Sequence, residues 1–557
     1  MQSKVTKTYK LPATKTHKPP MFLVLMATLT GVAIALPLTY LVICTVAISR
    51  EQLWTLGSRP RTLVVLLNSA VIAVAAPLFS ALIAVPLAFL TLRTDLPWRR
   101  FWLIATTLPL AIPDYVGCFA LIAAFGPKGS LLQLLLEPLG VQEIPEIYGW
   151  TGALLAITLF TYPYLLLSVQ AGLQGIDPAL EEAAQGLGCN QRSIFFRIIL
   201  PQLRPSLIAG GLLVSMYALQ DFSAMTLMRF DAFTRVIFLQ YRYTFDRNQA
   251  AALALMLVSL VLLLLWLEYK TRSQATYYSR SNKFYRSQPL VHLGAWKVPA
   301  LLFCFTVVSL GLFLPFGVTL FWLVRGLTGN GVDEMISLHK IMQLTWHSIW
   351  AAGLAATIST LCSLPVAILA VRFPSRITTA IERCCYIGFG LPGLVVALSI
   401  VFWGANYLPW LYQTLPMLVF AYLILFLPQS VGSVRSSLLQ VNPQIEEAAQ
   451  SLGRTPWQTL REITLPLVHP GVVSGAALIF LTAIKELPAT LLLAPIGFNT
   501  LSVHIWKATE NVSYSDAAAG SFVMLVISIS SMLLVLSQNS IKELSPDVQR
   551  SLQREVD

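Results

Sequence analysis

An all-α polytopic membrane protein is predicted, with about twelve transmembrane helices arranged as two parallel six-helix repeats. Three observations predict it: a composition too apolar for water, a ladder of apolar runs of spanning length, and a stretch that occurs twice. Of the 557 residues, 56% are hydrophobic and only 11% are charged. Soluble domains carry about 25% charged residues. A soluble enzyme, a disordered chain and a secreted disulfide scaffold are therefore excluded. The net charge of +12 fits basic loops that orient membrane helices, and not a nucleic-acid partner. Seven cysteines (44, 118, 189, 304, 362, 384 and 385) show no zinc or disulfide spacing and read as reduced, small membrane hydrophobes.

Taken in order, residues 1–20 carry five lysines and no acid and read as a cytoplasmic tail. The run from Met21 to Ile48 is too long for a signal-peptide core and reads as the first span. A span needs about 20 apolar residues. Further runs lie near 63–92, 101–125, 149–172, 203–228, 249–268, 298–324, 343–371, 384–404, 411–432, 469–494 and 517–537. Pro86, Pro109, Pro113, Pro163, Pro365, Pro392 and Pro428 fall inside them, which is tolerated where neighbours satisfy the freed carbonyls. With both termini inside, 26 Lys and Arg lie in inner segments and 11 in outer ones, leaving Lys485 within a span. That bias supports the orientation. The segment 229–248 runs against it, with Arg229, Arg235, Arg242 and Arg247 outside. It also holds Tyr241 and Tyr243 and reads as a solvated loop or as a face for an acidic binding protein.

The sequence repeats itself. DPALEEAAQGLGCNQRSIFFRIILP (177–201) aligns without a gap on NPQIEEAAQSLGRTPWQTLREITLP (442–466), 265 positions on. The same register pairs Pro205 with Pro470, Gly210 with Gly475 and Asp221 with Glu486. Upstream, 67–93 matches 346–372 at an offset of 279, pairing Pro86 with Pro365 and Arg93 with Arg372. The expected organisation is a tail (1–20), a first half (21–269), a cytoplasmic linker (270–297), a second half (298–537) and a cytoplasmic tail (538–557). Six spans per half is even, so both halves face the same way, and a path is expected between them.

The repeated stretch lies between the fourth and fifth spans of each half, on the inner side. Its pattern is E-A-A, three residues, Gly, nine residues, I-x-L-P. These are Glu182, Ala183, Ala184, Gly188, Ile198, Leu200 and Pro201, then Glu447, Ala448, Ala449, Gly453, Ile463, Leu465 and Pro466. Asp177 and Asn442 suit N-caps, with Pro178 and Pro443 in the first turn. Gly188 and Gly453 suit a left-handed helix stop. Pro201 and Pro466 mark the next boundary.

This pattern resembles the EAA loop of membrane subunits of ABC importers. The resemblance implies the type I importer permease fold in a bacterial inner membrane. It implies two copies of an ATP-binding subunit, docked on the two loops, and an extracytoplasmic substrate-binding protein. Glu182 and Glu447 would meet polar or basic groups of the ATPase, and Gly188 and Gly453 would set the turn between two short helices. The chain has no G-x-x-x-x-G-K-[ST] loop. ATP would be bound by the partner, and no cofactor is expected here.

Two segments, IKELPATLLLAP (484–495) and LPLAIPDYVGCFALI (108–122), resemble the often double-length ferric-iron permeases. Fused thiamine permeases are the competing resemblance. Charges within spans are costly and are functional candidates. Asp221 and Glu486 occupy equivalent positions, and pseudosymmetry would bring them toward a common axis. Carboxylates suit a hard trivalent cation. Pro488 cannot donate to the carbonyl of Ile484, which would then line a path. A structural ion pair, with Lys485 partnering another span, accounts for the same acids. Asp114, after Pro113, reads as a cavity-lining acid or a cap. The six histidines form no close ligand pair, so no metal site is assigned. No catalytic arrangement is visible, which leaves a secondary transporter with a 6+6 repeat as the other class of reading.

Overall fold

In lipid every backbone amide must be satisfied internally, so apolar runs of this length fold as helices. A computed structural model describes residues 19–244, 247–274, 290–328 and 337–533, and each of the twelve predicted runs contains helix. Among these residues nine helices are long and apolar enough to cross a membrane: Met21–Val46, Pro60–Arg93, Trp150–Gln174, Arg247–Leu267, Gly294–Leu327, Leu338–Arg372, Leu415–Gln440, Pro456–Ala483 and Tyr514–Leu533. No strand forms among the described residues beyond a single bridge between Thr94 and Val291. Most of the basic tail, 275–289 of the linker and the whole of 538–557 lie outside the described residues.

The remaining runs differ from simple spans in a repeated way. The third is broken, with Arg99–Ala111 and Asp114–Phe125 meeting at 97°. Pro113 stands at the break, where its fixed φ and missing N–H favour extended backbone. The matching region of the second half is likewise divided, into Arg376–Ile387 and Gly393–Tyr407, around Pro392. The fifth run stops at Gln220 and the eleventh at Ala483, short of the predicted ends. A short helix follows each stop, Ser223–Leu227 and Pro488–Leu493.

Contacts divide the chain into two units. One comprises Met1–Leu36, Leu354–Phe389 and Tyr422–Phe480; the other comprises Pro37–Gly353, Gly390–Ala421 and Leu481–Asp557. The units cut across the two sequence repeats. In the first, Gly31 of the opening helix lies against Ile381 of the second half. In the second, Gly311 of the seventh span lies against Pro109 of the first half.

The fourth span of each half forms the core. Of the most apolar stretch of Trp150–Gln174, 78% is buried, and the same share of Leu415–Gln440. Outer helices instead show apolar side chains to lipid, as Leu63, Leu67, Val74, Leu78 and Leu82 do along the second span. Small residues let the fifth span approach the fourth, as in membrane helix pairs generally. A methyl on Gly210 would come within 2.6 Å of Leu165 Cδ1, and one on Gly475 within 2.8 Å of Ser430 Oγ.

The end of the linker is fastened beside the second span. Val291 N donates to Arg93 O at 2.8 Å and Asp95 N to Val291 O at 3.2 Å. The Asp95 carboxylate accepts from Leu293 N at 2.9 Å and pairs with Lys297 at 2.9 Å and His292 at 3.2 Å. The Leu293 amide, then Lys297 and His292, hold this carboxyl well below the usual carboxylate range. A depressed carboxyl contributes where it is ionised, so its contribution is present above about pH 4 and lost as pH falls through the lowered value. Asp95→Asn is expected to speed hydrogen exchange of residues 290–297 by the same factor at pH 8 and pH 9. A pH-dependent effect within that window would contradict this assignment.

Candidate functional site

Each repeated loop folds as a helix, a left-handed stop and a second helix. Asp177 accepts from Ala179 N at 3.0 Å and opens Pro178–Gly186; Asn442 accepts from Gln444 N at 3.0 Å and opens Pro443–Ser451. The stops fall at Gly188 (φ 82°) and Gly453 (φ 89°). Cys189 N then returns to Ala184 O at 3.0 Å and Arg454 N to Ala449 O at 3.2 Å, the wrap that satisfies last-turn carbonyls. Ala184 and Ala449 face inward, while Glu182, Ala183, Glu447 and Ala448 are exposed. Ile198 and Ile463 are half-buried. Pro201 and Pro466 stand at the second position of the next α-helical segments, Leu200–Gln202 and Leu465–Ala483. Each follows a π-turn, Phe195–Ile199 or Leu460–Thr464, whose wider register accommodates a residue without an N–H. In the first half the sharper break comes two residues later, where Gln191–Gln202 meets Arg204–Gln220 at 60°.

The sequence reading missed the residues that anchor these loops. The glutamate preceding the motif turns inward in both copies. Glu181 pairs with Arg93 at 3.0 Å, the side chains being 7% and 1% exposed. Glu446 pairs with Arg372 at 3.0 Å and accepts from Thr464 Oγ1 at 2.9 Å. Arg93 Nη2 also donates to Leu173 O at 2.9 Å and Arg372 Nη2 to Val441 O at 3.3 Å, at the C-terminal ends of the two core helices. Adjacent helix residues lie about 100° apart, so one glutamate of each pair is held and its neighbour is presented. Removing one member of a buried ion pair costs about 3–5 kcal/mol. The match of Arg93 with Arg372 was visible in the repeat; their partners were not. Leu187 and Leu452, at the apex of each loop, are 85% and 87% exposed, an apolar surface that the sequence reading also passed over.

The intramembrane acids sit at helix breaks and not within continuous helices. Asp221 ends one helix and caps the next, accepting from Ala224 N at 2.6 Å. Glu486 follows the helix that stops at Ala483 and caps the next one through Ala489 N at 3.2 Å. Capping by a carboxylate satisfies free N–H groups that lipid cannot. Pro488 takes the first position of its short helix, where no N–H is needed. The helix has already stopped at Ala483, so Pro488 does not free the carbonyl of Ile484. Asp221 and Glu486 share no hydrogen bond or ion pair among the described residues, and no group of three or more His, Cys, Asp or Glu there is placed to hold a metal.

The two breaks differ in a compensated way. In the first half Asp114 lies within hydrogen-bonding reach of Asp221 and accepts from Tyr217 OH at 2.7 Å. The equivalent of Asp114 is Gly393, and a methyl there would come within 2.6 Å of Glu486 Oε1. The longer acid fills the space that a second acid takes in the other half. Likewise Lys485 stands where the first half has Gln220. Its Nζ reaches Leu110 O at 3.4 Å, and its charge faces Asp114. Asp114, Tyr217, Lys485 and Glu486 are all half-buried. In the segment 229–248, Arg229 lies 4.6 Å over the Tyr148 ring, Arg235 pairs with Asp231 and Arg242 lies 3.9 Å from Glu510.

Comparison with known proteins decides the family. The description "binding-protein-dependent transport system inner membrane component" matches twice, at 78–269 and 359–543. The chain belongs to that family. This permease is therefore a multi-pass transport subunit of a binding-protein-dependent system. It is 31% identical over 514 residues to the Fe(3+)-transport system permease protein FbpB 2 of Haemophilus influenzae, covering 92% of this chain and 97% of that one. It is 25% identical to the ferric transport system permease protein FbpB of Actinobacillus pleuropneumoniae, over 80% of this chain and 67% of that one. The sulfate transport system permease protein CysT of Salmonella typhimurium is 28% identical over 42% of this chain but 84% of its own length. Each half of this permease is thus the size of one single-length relative.

The facing charges can be tested by making each half copy the other. Lys485→Gln and Asp114→Gly are each expected to lower the thermal stability of the purified permease. The double variant should recover part of the loss, with a coupling of about 1 kcal/mol or more. Strictly additive losses would show that the two groups do not depend on each other.

Proposed function

We propose that this permease is the membrane-spanning subunit of an ATP-driven importer of ferric iron. The observation that carries the substrate is its likeness, over nearly its whole length, to a protein named for Fe(3+) transport. Iron is cargo here and not a resident metal. An extracytoplasmic binding protein delivers it, and the two halves alternate in access.

Two ATP-binding subunits dock on the two loops, and hydrolysis belongs to them. Glu182 and Glu447 offer them charge, while Leu187 and Leu452 offer them an apolar apex. Gly188 and Gly453 fix the turn between the helices that dock. Both termini are cytoplasmic in this reading, in keeping with the Lys and Arg bias. Asp221, Glu486 and Lys485 border the path at the helix breaks, and Pro488 fixes one of those breaks.

Cells lacking the permease are expected to lose uptake of labelled ferric iron while keeping that of thiamine. Loss of thiamine uptake with iron intact would overturn the substrate. Leu187→Glu with Leu452→Glu is expected to reduce recovery of the ATP-binding subunit with the tagged permease at least tenfold, since buried apolar anchors dominate such interfaces. Undiminished recovery would remove the two leucines from the docking surface.

A further inference from the structure

The loops and the helix breaks are joined by one element. The second span of each half, Pro60–Arg93 or Leu338–Arg372, carries the loop-anchoring arginine at its last residue. Near its other end it carries a serine that accepts a hydrogen bond from the first amide of another short helix. Ser69 Oγ accepts from Phe233 N at 3.0 Å, and Ser348 Oγ from Leu501 N at 2.8 Å. The residue before each serine adds a second bond: Asn68 Nδ2 donates to Asp231 O at 3.0 Å, and His347 Nδ1 to Asn499 O at 3.0 Å. The short helices Phe233–Leu239 and Leu501–Glu510 then reach the breaks themselves. Thr234 Oγ1 donates to Asp221 O at 2.7 Å, and Ser502 Oγ to Glu486 O at 3.0 Å.

Every link in this series occurs in both halves. Ser69 to Arg93 and Ser348 to Arg372 are each 24 positions, or about 36 Å of helix, enough to cross the hydrocarbon core. The residues involved are polar or charged groups in a lipid-facing protein, where unpaired placement is costly. Simple helix packing would use apolar side chains at these points.

We propose that the second span of each half is a strut that carries displacement of the ATPase-docking loop to the helix break holding Asp221 or Glu486. Arg93–Glu181 and Arg372–Glu446 fasten its inner end. Ser69 and Ser348 fasten its outer end. These are positioning residues: they touch neither ATP nor cargo. The strut also explains why the arginine binds carbonyls of the core helix as well as the glutamate. The loop, the core helix and the second span are then tied at one point and move together.

The proposal rests on the permease reading above. It is tested on the complete complex, with the ATP-binding subunit, in liposomes supplied externally with iron-loaded binding protein. The inner fastening is cut by Glu181→Gln with Glu446→Gln, and weakened by Thr464→Val, which removes one hydrogen bond and leaves the ion pair. The outer fastening is cut by Ser69→Ala with Ser348→Ala. The outer cut is expected to leave basal ATP hydrolysis within about twofold, and both cuts to lower ferric iron moved per ATP about tenfold. Thr464→Val should lower that ratio less, and Ser69→Thr with Ser348→Thr, which keep the hydroxyls, should restore it. A fall of transport and hydrolysis in parallel, or an unchanged ratio in the outer variant, would overturn the strut. Should the double glutamine variant fail to assemble, Thr464→Val and the serine variants decide the question. Failure of the permease reading is seen separately, because wild type would then move no iron.

Discussion

An arginine held by a glutamate at the end of the second span, buried in the first half and half-buried in the second, is the constraint on which the rest of each half depends. An isolated guanidinium in this position is prohibitively costly, and a glutamate alone no less so. Together they oblige the loop helix to lie against the membrane-embedded bundle at one angle. Once that helix is fixed, the left-handed glycine sets the direction of the following segment, and the π-turn sets the register of the fifth span. The loop is therefore held as a body and does not trail from two helix ends. Its exposed face carries one glutamate and an apolar apex.

The same economy of polar groups governs the far side of the bundle. Each helix break exposes amides that lipid cannot satisfy, and each break supplies its own carboxylate to cap them. Asp221 and Glu486 thus have a structural duty that stands whatever else they border. Their half-buried neighbours, and not the capping acids alone, give the region its chemical character: a phenol, a second acid and an ammonium group lie around the first break.

Much of this was legible in the sequence, and the parts that were not share a cause. Span positions follow from apolar length, and the two-fold organisation follows from a gapless repeat. The N-caps Asp177 and Asn442 and the stops at Gly188 and Gly453 could be read because their chemistry is local. The ends of the fifth and eleventh spans were misread because Asp221 and Glu486 act as caps only once the chain turns, and hydropathy continues across the turn. Glu181 was overlooked in favour of Glu182 because the inward face of a nine-residue helix depends on what it packs against. The exchange of helices between repeats, such as Gly311 against Pro109, leaves no trace in a linear pattern. Pairs in which both members change together, Asp114 with Gly393 and Gln220 with Lys485, weaken the repeat signal where the chemistry is densest.

Those paired departures have a consequence for how the halves can be combined. A dimer of two first halves would bring two copies of Asp114 with no lysine to face either. A dimer of two second halves would carry two copies of Lys485 with glycine in place of Asp114. Neither half reproduces the facing of Asp114 and Lys485 with a second copy of itself. The two halves are therefore not interchangeable, and a substitution at one break has no forced counterpart at the other.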